Sequence, residues 1–176
     1  MHVVLSLTVS ESKRLIAKGV AQAEFVLRAM EEGTLAIGSG TTNGYIIEEI
    51  TGESFDKKTS VTGRTLPSNY DGENLTYTYT DLVIRKGERL DISAKEALED
   101  MGPGDVFVKG ANAINYERDQ AAVLIGHPTG GNVGLAIGPA MARRICFLHP
   151  VGLEKSVSVD LVEVAEAINS DPEGKG

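Results

Sequence analysis

The stretch Thr34-Leu35-Ala36-Ile37-Gly38-Ser39-Gly40-Thr41-Thr42-Asn43-Gly44-Tyr45-Ile46-Ile47 constrains the fold more than any other part of the chain. Its apolar opening suits a strand buried on both faces. A turn of glycine, hydroxyl and amide residues follows, and an apolar and acidic segment then reads as the start of a helix. Strand, glycine loop and helix in this order can build an anion site. Glycines let the backbone approach a ligand, hydroxyls add donors, and the free N–H groups of the first helical turn point at negative charge. Two readings are open: Gly38, Ser39, Gly40, Thr41, Thr42 and Asn43 cradle an anion, or they form an ordinary tight turn. The loop lacks the Gly-Lys-Ser/Thr of a Walker A motif. It is not a dinucleotide Gly-x-Gly-x-x-Gly either, because Asn43 stands at the third glycine position.

Composition narrows the partners. A chain of 176 residues is one domain's worth, long enough to bury roughly 70% of its unfolded surface. With 25 acids against 17 bases the net charge is −8, which argues against nucleic acid as the main partner. An anionic small molecule would have to be held by local dipoles and a few bases. Cys146 is the single cysteine, so no intrachain disulfide forms, and its apolar neighbours suggest a core position. No stretch approaches the ~20 apolar residues of a membrane span, and the first residues have no basic segment of a secretory leader. The expectation is a cytoplasmic protein without a membrane partner. His127 and His149 have no acid or thiol at ligand spacing, so no metal site and no cofactor is expected.

Along the chain, Thr8-Val9-Ser10-Glu11 fits a capping box. The spacing then predicts one helix ending at Gly33 in a left-handed cap, with Leu15, Ile16, Val20, Ala23, Val26, Leu27 and Met30 on its inner stripe. Residues 59–92 are rich in Thr, Tyr, Val, Leu and Ile. They read as a β-meander of about three strands set at one edge, with a hairpin turn at Arg85-Lys86-Gly87-Glu88. Ser93-Ala94-Lys95-Glu96 is a second capping box, and Gly102-Pro103-Gly104 stops the helix it opens. Further buried strands are expected at 105–109 and 145–149, with a helix of small apolar residues over 133–144 between them. A final helix is expected over 159–168, capped by Ser158, with Leu161, Val162, Ala165 and Ile168 inward. Residues 170–176 read as a flexible tail. The fold class is therefore α/β: a single domain, three layers, a mainly parallel sheet with helices on both faces, and a small β-meander. An apolar meander on a small domain offers an edge to cover, so a homo-oligomer is expected.

Three strands each end in a polar loop, 38–43, 109–115 and 149–155. Ligands of parallel α/β sheets bind where such loops converge. Lys109 either meets a ligand phosphate or carboxylate beside Gly110, or snorkels to the surface. Asn112 either reads ligand hydroxyls or forms the turn. Gly130 and Gly131 ahead of a helix make a second anion cradle. Glu154 and Lys155 are the candidate acid and base, although adjacent surface charges look the same in sequence.

Taken together, the loops resemble those of the superfamily of ribose-5-phosphate isomerases, glucosamine-phosphate isomerases and CoA transferases. Gly38-Ser39-Gly40-Thr41-Thr42 is similar to its phosphate loop Gly-Thr-Gly-Ser-Thr. Lys109-Gly110-Ala111-Asn112-Ala113-Ile114-Asn115 resembles its Gly-Ala-Asp-Glu-Ile-Asp turn. Val151-Gly152-Leu153-Glu154-Lys155 is similar to an element of the lactate-utilisation domain. The resemblance implies that superfamily's three-layer fold and an anionic, phosphorylated or carboxylated, metabolite. Two functions stay open. Retention of Glu154-Lys155 favours an enzyme related to the sugar-phosphate isomerases. Replacement of the isomerase acids by Asn112 and Ala113 favours a non-catalytic metabolite-sensing module.

Overall fold

The computed structural model describes residues 4–54, 56–57 and 80–170. Two helices, α1 (Val9–Ala21) and α2 (Glu24–Glu32), lead into strand β1 (Thr34–Ile37) and helix α3 (Thr41–Thr51). A hairpin of β2 (Leu82–Arg85) and β3 (Glu88–Leu90) precedes the short helix α4 (Ala94–Ala97) and strand β4 (Val106–Val108). Next come β5 (Ala113–Asn115), β6 (Gln120–Ala122), helix α5 (Gly131–Arg143) and β7 (Cys146–Leu148). A 3₁₀ turn (Leu153–Lys155) and helix α6 (Leu161–Ser170) complete the order.

The central sheet has the order β3-β2-β1-β4-β7. β1, β4 and β7 are parallel, while β2 runs antiparallel to both of its neighbours. Four of the five strands thus point one way. The strands expected at 34–38, 105–109 and 145–149 lie side by side. Alternation along them divides the core. Leu35, Ile37, Val106 and Val108 face Ala17, Val26, Ala29, Ile46 and Ile47 of the first three helices. Ala36 and Phe107 face the other way, onto Ala94 and Ala97 of α4 and Ala136 and Ala140 of α5. Helices therefore cover both faces of a three-layer α/β domain. Phe107 is buried and meets Phe147 edge-on at 5.6 Å; burying a side chain of that size is worth about 3 kcal/mol.

Both capping boxes form, Thr8 with Glu11 and Ser93 with Glu96. The turn at Arg85–Glu88 also forms: Lys86 and Gly87 take φ of 51° and 84°, the positive pair that a two-residue hairpin requires. That hairpin is hydrogen-bonded into the central sheet as its edge. The rest of the expected meander, residues 58–79, lies outside the described residues, as does the tail beyond Ser170.

Four expectations are corrected. The single helix before Gly33 is two, because the N–H groups of Gln22 and Ala23 close α1 onto Lys18 and Val20 while the Ala23 carbonyl opens α2. α1 lies on α3 and α2 on the sheet, so one stripe cannot serve both, and Leu15 and Leu27 are exposed. Gly33 is not left-handed (φ −124°). Its Cα hydrogens matter instead, since a Cβ there would stand 2.5 Å from Asp105 Oδ1. At the other end, α6 begins at Leu161 and is capped by Asp160, whose Oδ1 accepts from Val162 N at 2.9 Å. Only Leu161 is buried; Val162, Ala165 and Ile168 are exposed, because α6 meets the β5–β6 hairpin through its polar first turn, with Gln120 Oε1 accepting from Leu161 N. Cys146, expected in the core, is exposed on the edge strand β7.

Candidate functional site

Register places the candidate loops at one edge. Ile37 pairs with Val108 and Val108 with Leu148, so the chain leaves β1, β4 and β7 side by side. Leu82, opposite Ile37, brings Asp81 to the same edge. The loops are tied directly: Gly38 N donates to Val108 O, Ala111 N to Pro150 O, and Lys109 N to Leu148 O.

The N-terminus of α3 opens here. Gly40 is its cap residue and no side chain caps it; the first helical bond in the α3 ladder runs from Gly44 N to Gly40 O. The preceding N–H groups of this turn carry the positive end of the helix dipole. Gly40 has extended backbone, and a Cβ on it would meet Asn43 only at ordinary contact distance, 3.9 Å. Ser39 is not a free donor: its N–H and hydroxyl both donate to Asp81 Oδ1 at 2.9 Å. Asp81 Oδ2 accepts from Ala94 N, so this carboxylate fastens the loop to the start of α4. Asp81 was missed in the sequence. No local signal marks it: it reaches the loop because the antiparallel strand β2 starts opposite the end of β1.

Three lysines converge on this turn. Lys109 Nζ donates to Ser39 O at 3.3 Å, Lys155 Nζ to Ala111 O at 2.6 Å, and Lys13 Nζ to Thr41 Oγ1 at 3.4 Å. None of the three has a carboxylate within the 4.0 Å of an ion pair among the described residues. Burial pushes the Lys109 amine below its ordinary value; the Asp81 charge opposes this and the Lys155 charge adds to it. Lys155 is lowered by burial and by Lys13, against the pull of Glu154. Lys13 comes from α1, far from these loops in the sequence. It arrives because Arg14 anchors α1 on α3, pairing with Glu48 and Glu49, donating to Tyr45 O and lying over the Tyr45 ring.

Asn43 is buried at 1% exposure. Its amide N–H₂ donates to Gly38 O at 2.7 Å and Val108 O at 3.3 Å, while its Oδ1 has no partner among the described residues. That oxygen lies 3.8 Å from where a Cβ on Gly110 would stand, so Gly110 leaves room beside it.

The Gly130-Gly131 turn is nearby. Gly130 and Gly131 start α5 with φ of 79° and 54°, and Asn132 Nδ2 lies 3.4 Å from where a Cβ on Gly38 would stand. Other candidates go elsewhere. Asn112 Oδ1 accepts from Leu124 N and stabilises the turn out of β4. Glu154 is exposed on the 3₁₀ turn, its carboxylate folded back over Gly152, while Lys155 turns inward. His149 donates from Nδ1 to Lys109 O at 2.8 Å. That bond fixes the proton on Nδ1 and leaves Nε2 as the basic nitrogen. Thr129 N donates to His127 Nδ1, with the ring exposed.

Among the described residues no helix is long and apolar enough to cross a membrane. Nor does any group of three His, Cys, Asp or Glu side chains there stand as a metal site. No protein-family model, no curated protein and no solved structure matches the chain.

Proposed function

We propose that the chain binds an anionic metabolite, phosphorylated or carboxylated, at the C-terminal edge of β1, β4 and β7. One observation carries this reading. In a protein of net charge −8, Lys13, Lys109 and Lys155 gather on the loops around the open N-terminus of α3, and among the described residues they bond only to neutral oxygens. Partly buried cations that repel one another cost stability unless something compensates them. An anion would do so, and the uncapped N–H groups of Gly40, Thr41 and Thr42 add oriented donors. The reading agrees with what the superfamily resemblance implies for residues 38–43. It does not require Glu154, whose carboxylate is exposed.

The test is a thermal-shift series with phosphate, sulfate, phosphorylated metabolites and carboxylates, run on the wild type and on Gly40→Val. Residue 40 accepts a Cβ without a clash, so the substitution should leave the fold intact while its methyl groups cover the N–H turn. The wild type should be stabilised by anions and the variant should respond at least about tenfold more weakly in apparent affinity, the factor that about 1.4 kcal/mol represents. An equal response from both proteins would place the anion elsewhere.

A further inference from the structure

We infer that the ligand of this site is an anionic carbonyl compound, an aldehyde or ketone bearing a phosphate or carboxylate, and that the Lys109 amine adds to its carbonyl carbon to form a Schiff base. The inference rests on the anion reading above and goes one step beyond it.

The three lysines are not held alike. Lys13 sits against Thr41 in the first turn of α3, and Lys155 is fixed on Ala111 O by a short bond. Lys109, at the end of a central strand, is held as loosely as Lys13, by one bond of 3.3 Å to Ser39 O and no ion pair among the described residues, and burial desolvates its amine. A helix terminus with Lys13 and Lys155 is sufficient for one anionic group, which leaves Lys109 for the rest of the ligand. An amine that is partly desolvated and stands next to other cations is populated in its neutral form, the nucleophilic one. Burial and Lys155 both act on Lys109 in that direction.

A second, independent observation points to a ligand here. Asn43 Oδ1 is buried and has no donor among the described residues, and it lies beside Gly110, the residue after Lys109, where a Cβ would meet it at 3.8 Å. A buried acceptor left empty costs on the order of 1–3 kcal/mol. A hydroxyl on the ligand, or on the adduct it forms, supplies the missing donor.

The chemistry balances with no redox partner. The Lys109 Nζ lone pair forms the C–N bond while the carbonyl π electrons move to oxygen. Proton transfer from nitrogen to that oxygen gives a neutral carbinolamine. The hydroxyl then leaves as water, taking one further proton from solvent, and the nitrogen lone pair closes the C=N bond. The nitrogen keeps its last proton as the iminium.

The experiment uses the full chain with glyoxylate, pyruvate and dihydroxyacetone phosphate, each with sodium cyanoborohydride, read by intact mass and peptide mapping. In parallel, inorganic phosphate is titrated by thermal shift. The expected result is a single reduced adduct mapping to Lys109, diminished by excess phosphate and lost in Lys109→Arg, with cooperative melting showing that the variant is folded. A phosphate shift in the wild type with no adduct at Lys109 overturns the Schiff base and leaves the anion reading intact. Labelling spread over exposed lysines, unaffected by phosphate, overturns it as well. An adduct at Lys109 without any phosphate shift would support the covalent step and count against the anion reading.

Discussion

Asp81→Asn is the substitution that most directly probes how the site is built. The wild-type carboxylate accepts three hydrogen bonds: two on Oδ1 from the N–H and hydroxyl of Ser39, and one on Oδ2 from Ala94 N, at 2.9, 2.9 and 3.0 Å. The amide has the same shape but one acceptor oxygen. Whichever way it turns, either Ser39 or Ala94 N–H then faces an NH₂ group. Ser39 is 3% exposed, so water cannot replace the lost acceptor there. Hydrogen bonds to a charged group are worth roughly 1.5–3 kcal/mol each, and neutral ones about 1. Losing one bond and the charge assistance of the others should cost about 3 kcal/mol in total. For a chain of this size that lowers Tm by roughly 6–12 °C. Urea unfolding measures the free energy directly. The same change removes the negative charge facing Lys109, so anions should bind more tightly to the weaker protein. A midpoint shift worth less than about 0.5 kcal/mol, the size of an ordinary surface substitution, would refute the role given to Asp81. So would weaker anion binding by a folded variant.

Two more predictions concern the core edge and the lysines. Gly33→Ala should cost roughly 1–3 kcal/mol by overpacking, because the Asp105 carboxylate it would strike is pinned by Thr34 N at 2.6 Å and Gly102 N at 2.7 Å; an unchanged urea midpoint would show that Asp105 moves aside freely. Lys109 and Lys155 have amines lowered from an ordinary value of 10.5, so in the window between the lowered and ordinary values the unfolded chain binds more protons than the folded one. The destabilisation they cause is then fully present below the lowered values and is relieved as pH rises through them toward 10.5. The double variant Lys109→Met and Lys155→Met should flatten that rise in urea midpoint, and anion binding to the wild type should take up protons, measurable by calorimetry in buffers of different ionisation enthalpy. A variant with the same pH slope as the parent would refute the assignment.

The sheet was legible because its strands carry local signals. Leu35 to Ile37, Val106 to Val108 and Cys146 to Leu148 are short apolar runs, each with a glycine or proline close behind, and both capping boxes are four-residue codes. What failed depended on tertiary contact. The apolar pattern from Leu15 to Met30 continues across Gln22 and Ala23, and nothing in its period shows that α1 turns onto α3 while α2 turns onto the sheet. The stripe on α6 has the spacing of a buried helix, yet only Leu161 finds a partner. The site was legible in its loops, since glycine followed by polar residues after an apolar strand is a local pattern. Lys13 and Asp81 were invisible to that reasoning, because their places are set by an ion pair from Arg14 and by the register of Leu82 opposite Ile37.

That division bears on how the site works. Residues 13, 38–43, 81, 109–110 and 155 lie far apart in sequence and meet only when β1, β4 and the loop after β7 are assembled and α1 has docked. One contact at the α3 terminus comes from α1, Lys13 on Thr41, and one to two turns further along Arg14 binds Glu48, Glu49 and the Tyr45 carbonyl. An anion at the terminus would attract Lys13 and so favour the docked position of α1. By linkage, docking of α1 must raise the affinity for the anion by the same factor. These contacts act together with the Lys18–Glu49 pair and with Ala17 and Val20, which pack into the core beside Ile46 and Ile47. The helix that supplies Lys13 is therefore one whose docking an anion at the α3 terminus would strengthen.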